Sequence, residues 1–195
     1  MQDPAVDAGR RAARYWTIDG LPELDTGFVW LCVPLYFYGV THLPKSSPWH
    51  AVLVIGGTLA LMFAIMGGAW VLGILKRRVT YPRTGYVAYQ KPKAKAFWFP
   101  FLIAPLLMML PFGPTQLVLP VTGLISAIIL IAVAHNQRLN RLYFLGAFLL
   151  VVGIALGVAQ VDVETGFSLF FGLAGMFAIV SGAFTLRRYL ERPRA

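Results

Sequence analysis

The sequence is poor in most of what a soluble enzyme needs. Charged residues make up 13% of its 195 positions, where a soluble domain carries about 25%. There is one cysteine, Cys32, so no intrachain disulfide can form and the redox compartment is not readable. No G-x-S-x-G, H-E-x-x-H, P-loop or G-x-G-x-x-G motif is present. No Asp, Glu, Lys or Arg falls in the middle third of any long apolar run. That lack counts against a proton-coupled carrier, because intramembrane ionisable groups mark proton and ion paths. It also counts against an intramembrane hydrolase, which needs paired acids or histidines inside a bundle. The expectation is a protein that is not an enzyme and holds no cofactor.

Apolar sequence is abundant. Hydrophobic residues make up 58% of the chain, and its mean hydropathy is +0.69. A membrane-crossing helix takes about 20 apolar residues. Six runs approach or exceed that length: 22–42, 50–75, 97–112, 115–135, 142–161 and 166–186. They predict an all-α membrane protein with six transmembrane helices. The expected organisation is a cytoplasmic N-terminal interfacial helix in 1–21, a transmembrane domain over 22–186 with a basic loop at 76–96, and a basic tail at 187–195. The acidic residue Asp19 precedes the first run, Glu23 and Asp25 lie at its start, and no small-x-small pattern follows it. The run therefore reads as a retained helix, not a cleaved signal.

Charge of one sign is nearly missing from alternate loops. Of 17 Lys and Arg residues, all but Lys45 lie in segments that six crossings place on one side. The positive-inside rule puts both termini in the cytoplasm. Orientation thus accounts for the net charge of +9, and nothing calls for nucleic acid.

Small residues mark packing faces. Gly56, Ala60, Ala64 and Gly68 recur every four positions in the second run, and Gly153 and Gly157 form a GxxxG in the fifth. Ala174, Ala178 and Gly182 repeat the theme in the sixth. Such stripes let helix backbones approach, within one chain or in a homo-oligomer. Asp25–Phe28 (D-T-G-F) and Glu164–Phe167 (E-T-G-F) read as helix-start chemistry. Pro105 and Pro120 should kink the third and fourth runs. Carbonyls freed at membrane depth need a partner or line a cavity, so a small oligomeric carrier or pore would have its path there. His42 and His50 flank the first outer loop. A shared metal or haem is one reading, but no carboxylate or thiolate accompanies them.

Two further stretches carry the functional interest. In R-Y-W-T-I-D-G-L-P-E-L (Arg14–Leu24), Arg14, Tyr15 and Trp16 suit the membrane surface, Gly20 suits a helix stop, and Pro22 suits a first helical turn. The second stretch is V-T-Y-P-R-T-G-Y-V-A-Y (Val79–Tyr89). Tyr81, Pro82, Arg83, Gly85 and Tyr86 have the turn chemistry of a small β-hairpin. Lys76, Arg77, Arg78, Lys91, Lys93 and Lys95 flank it and suit anionic headgroups. The pairing of R-Y-W-x-x-D-G-L-P-E-L with Y-P-R-x-G-Y-V resembles a set of bacterial integral membrane proteins with no established function. The resemblance implies that the two elements belong together on the inner face, and it supplies no catalytic residue. The expected role is an accessory or scaffold protein of the bacterial inner membrane. It would bind anionic lipid or a protein partner through Arg14, Tyr15, Trp16 and the Tyr81–Tyr86 turn. An enzyme acting on lipid headgroups would lack a general base beside Tyr81, Arg83 and Tyr86.

Overall fold

The structure, a computed structural model, describes residues 18–80, 115–137 and 139–191. Among the described residues there are five α-helices and no strand: α1 (Leu21–His42), α2 (Pro48–Val79), α3 (Thr115–Gln137), α4 (Asn140–Val158) and α5 (Val163–Glu191). The 97–112 run, the expected hairpin and most of the expected N-terminal interfacial helix lie outside the described residues.

Four helices, α2 to α5, are long and apolar enough to cross a membrane. They fit an integral membrane protein. α1 is also 22 residues long, but Glu23, Asp25 and the polar-tipped Trp30, Tyr36 and Tyr38 dilute its hydropathy. Outward-facing side chains reinforce the membrane reading. On α2, Trp49, Phe63 and Trp70 are 68%, 69% and 73% exposed. In water so long an apolar surface would drive aggregation; in lipid it is the ordinary exterior.

Helix ends follow local chemistry. α2 starts with Pro48 after the N-cap Ser47, whose hydroxyl accepts from the Trp49 N–H at 3.3 Å. It ends in Lys76, Arg77 and Arg78, cations placed at the negative end of the helix dipole. α4 ends with Gln160 in the left-handed region (φ 52°). The Gln160 N–H bonds Gly157 O at 3.1 Å, and the Val161 N–H bonds Leu156 O at 3.3 Å, the paired closure of a Schellman motif. D-T-G-F sits inside α1, not at its start, whereas Glu164 of E-T-G-F does occupy the first turn of α5.

The packing divides into two units. One contains α3 and α4; the other contains α1, α2 and α5 from Glu164 onward. In the first, α4 turns Leu142, Leu145, Gly146, Leu149 and Gly153 inward, a stripe at helical spacing. A Cβ on Gly153 would lie 2.7 Å from Leu119 O, and one on Gly123 would lie 2.8 Å from Leu149 O. Backbone therefore meets backbone with no room for a methyl group. Pro120 lies inside α3. Its neighbours Val118, Leu119 and Thr122 are buried.

In the second unit, α1 and α5 run antiparallel with two glycine contacts seven residues apart on each helix. A Cβ on Gly27 would lie 2.8 Å from Gly175 O, and one on Gly182 would lie 2.8 Å from Gly20 O. Farther along α1 the seam becomes aromatic. Trp30 meets Phe171 edge-on, and Phe37 stacks on Phe167 at 6.1 Å between centroids. α2 packs on α1 through Leu53, Gly57 and Gly68. Tyr36 and Thr58 share a hydrogen bond of 3.1 Å, and Gly68 lies under the Asp25 carboxylate.

Candidate functional site: a buried ion pair at the basic end of the second helix

The consecutive residues Lys76, Arg77 and Arg78 do not act alike. At 100° per residue a helix cannot turn three neighbours the same way. Arg77 and Arg78 are exposed, whereas Lys76 is 1% exposed. The sequence reading grouped all three as headgroup contacts. The structure corrects this for Lys76, because the α1-facing side of α2 (Gly57, Gly68, Leu72) continues into it.

Lys76 meets Asp19, which is 0% exposed. The Lys76 ammonium donates to Asp19 Oδ2 at 2.7 Å, and the Thr80 hydroxyl donates to the same oxygen at 2.6 Å. The other carboxylate oxygen, Oδ1, accepts from the Leu21 N–H at 3.1 Å. Lys76 and Thr80 are one turn apart on α2 and therefore share a face. The Tyr189 hydroxyl, near the end of α5, donates to Thr80 O at 3.5 Å. Glu23, buried in the first turn of α1, adds its negative field at Lys76. One small cluster thus joins the start of α1 to the ends of α2 and α5.

Gly20 makes the approach feasible. It adopts φ 75°, which an L side chain rarely takes, and a Cβ there would lie 2.5 Å from Gly182 O. Gly20 is the N-cap of α1. It drops the chain onto α5 and turns Asp19 inward.

A buried ion pair adds little net stability over a well-packed apolar pair, but losing one partner is costly. Such a pair discriminates between arrangements: α1 and α2 can slide past each other only by stranding a charge. The cluster is an anchor, with every bond to Asp19 supplied by a neighbouring element of the same unit.

The anchor bears on the two stretches singled out in the sequence. Arg14, Tyr15, Trp16, Tyr81, Pro82, Arg83, Gly85 and Tyr86 all lie outside the described residues. Their roots do not. Asp19 belongs to the Arg14–Leu24 stretch, and Thr80 directly precedes Tyr81, so the hydrogen bond between them joins the chain at the edge of each stretch.

Of the packing residues, Gly68 and Gly153 are buried against neighbouring helices, as are Ala174, Ala178 and Gly182 on their own stripe. Ala64 and Gly157 are half-buried. Gly56 and Ala60 are exposed, and a Cβ at Gly56 would meet nothing within 4 Å. The face of α2 that packs begins one position later, at Gly57. His42 donates from its ring to Tyr38 O at 2.9 Å and stacks on the Tyr38 ring, so it is engaged within α1. Among the described residues no group of three or more His, Cys, Asp or Glu side chains is placed to hold a metal.

Sequence reasoning missed Asp19, Lys76, Thr80 and Tyr189 as one constellation. Two signals were available: a Lys and a Thr at i and i+4, and a D-G pair ahead of a proline-started helix. No protein-family model, curated protein or solved structure matches this chain.

Proposed function

We propose that the chain is a non-enzymatic, six-helix protein of the bacterial inner membrane with both termini in the cytoplasm. It works as an accessory or scaffold protein through its basic cytoplasmic face, binding anionic lipid or a protein partner. α1 and the 97–112 run add two crossings to the four helices that are long and apolar enough to span. The one-sided placement of Lys and Arg gives the orientation.

The observation that carries this reading is the Asp19–Thr80 hydrogen bond beside the Asp19–Lys76 pair. It fixes the roots of the Arg14–Trp16 and Tyr81–Tyr86 stretches to one another, so a ligand can meet both. Orientation requires positive charge at this end of α2, but it requires neither a buried carboxylate nor a proline–glycine turn between tyrosines.

The test is the full chain carrying Arg83→Ala and Tyr86→Ala, purified beside the wild type from the same membranes. Insertion, helicity and monodispersity should be unchanged. Co-purifying phosphatidylglycerol should fall, or a stoichiometric protein partner should be lost. If the double variant retains both at wild-type levels, the reading is wrong.

A further inference from the structure

Lys76 turns inward, which leaves the outward face of the same turns of α2 to be explained. Trp70, Ile74 and Arg77 follow one another at i, i+4 and i+7, and Arg78 flanks them, so they form one stripe. Trp70 is exposed, as are Arg77 and Arg78. Gly73 lies within the stripe, and a Cβ there would meet nothing within 4 Å. By helical register the open space at Gly73 has Trp70 one turn to its apolar side and Arg77 and Arg78 about one turn to its basic side. No Asp or Glu occurs anywhere in α2.

Depth can be read from the tryptophans. Trp49 and Trp70 are the two tryptophans of α2, and both are exposed. Twenty-one residues separate them, about 31 Å of helix, which matches a hydrocarbon core of about 30 Å. Tryptophan favours the headgroup boundary on both sides of a bilayer. Trp70 then marks the boundary at the basic end. Arg77 and Arg78 lie two turns beyond it, about 11 Å farther along the axis, at the level of the lipid phosphates.

We propose that this stripe is a binding site for an anionic phospholipid. Arg77 and Arg78 hold the phosphodiester, and Trp70 and Ile74 receive the glycerol backbone and the first acyl methylenes across the open space at Gly73. Charge complementarity selects an anionic lipid, and the apolar half of the stripe selects a lipid over a soluble phosphate. Arginine suits the site because its planar fork binds phosphate oxygens two at a time. The proposal rests on the reading above, that α2 spans the bilayer with its basic end in the anionic leaflet. It adds, on a face of α2 itself, a lipid site separate from the one proposed at residues 81–86.

The test uses the full chain in nanodiscs containing phosphatidylcholine and phosphatidylglycerol. Either lipid is supplied with bromine near the glycerol end of its acyl chains, where it quenches tryptophan on contact. The signal belonging to Trp70 is the difference between wild type and Trp70→Phe. Brominated phosphatidylglycerol should quench it well above brominated phosphatidylcholine, with an enrichment of about fivefold per arginine, equivalent to ~1 kcal/mol each. Arg77→Gln with Arg78→Gln should bring the two lipids level. Gly73→Leu, which keeps both charges and fills that space, should weaken the preference even if the arginine variant inserts poorly. Millimolar glycerol 3-phosphate should not displace the lipid; displacement would overturn the assignment to lipid. Arg83→Ala with Tyr86→Ala should leave the Trp70 preference intact. If that loop variant abolishes the preference while the Arg77 and Arg78 variant retains it, this site is wrong and the loop reading stands. Equal quenching by both lipids in the wild type also overturns the site.

Discussion

The α3–α4 pair and the α1–α2–α5 unit solve the same packing problem with different materials. Lipid tails are as apolar as leucine, so burying hydrophobic surface gives helices in a bilayer little reason to associate; close van der Waals packing does. Both units therefore bring glycines to backbone contact, Gly123 with Gly153 in one and Gly27 with Gly175 in the other. In α3–α4 the described core is otherwise aliphatic, with Thr122 donating back to its own helix at Val118 O. The second unit buries Asp19, Glu23, Lys76 and Thr80. Packing alone leaves neighbouring registers nearly equivalent, whereas a buried ion pair singles out one. The buried charges give the α1–α2–α5 unit one register, a constraint that the described α3–α4 core does not impose.

Three substitutions probe that contrast, in falling order of effect. Lys76→Met strands a buried carboxylate and should destabilise the chain by about 3–5 kcal/mol, read as a lowered unfolding midpoint in detergent. Thr80 keeps its bond to Asp19, so the loss should fall short of complete unfolding. Gly153→Ala is next, at about 1–3 kcal/mol. The new methyl meets the Leu119 carbonyl and Gly123 Cα, neither of which can rotate away as a side chain can. An unchanged midpoint would mean that α3 and α4 are farther apart than described. Gly56→Ala is the smallest. Its Cβ enters open space, so only helix propensity changes, and the midpoint should hold or rise by up to about 1 kcal/mol. A clear loss there, or a shift from dimer to monomer, would show that Gly56 and Ala60 pack against a second copy.

Helices were the legible part of this sequence, and helix faces were not. Apolar runs and proline placements gave α1 to α5 within a few residues at most ends, because length and hydropathy decide whether a segment can span. Which side of α2 packs depends on partners that hydropathy does not name. Gly56, Ala60, Ala64 and Gly68 share a spacing of four, yet 3.6 residues per turn carries such a row around the helix. Gly68 ends up facing α1, and Gly56 faces outward. The contacts Gly20–Gly182 and Gly27–Gly175 are spaced by seven on both helices, a match visible only once the helices are known to be neighbours. Lys76 was hidden by its company: among seven basic residues between 76 and 95, one that faces inward looks like the rest. Asp19 was legible only as part of a D-G pair, whose purpose depended on a partner 57 residues away.

A double-mutant cycle across that pair tests the account most directly. Asp19→Leu, Lys76→Met and the combined variant would be compared with wild type by unfolding midpoint in the full chain. Each single change leaves one buried polar group without its counter-charge, so both midpoints should fall strongly. The combined variant strands neither Asp19 nor Lys76, leaving only Glu23 without the Lys76 charge, and should recover much of the loss. If the two single losses simply add in the combined variant, Asp19 and Lys76 act independently and the anchor does not exist.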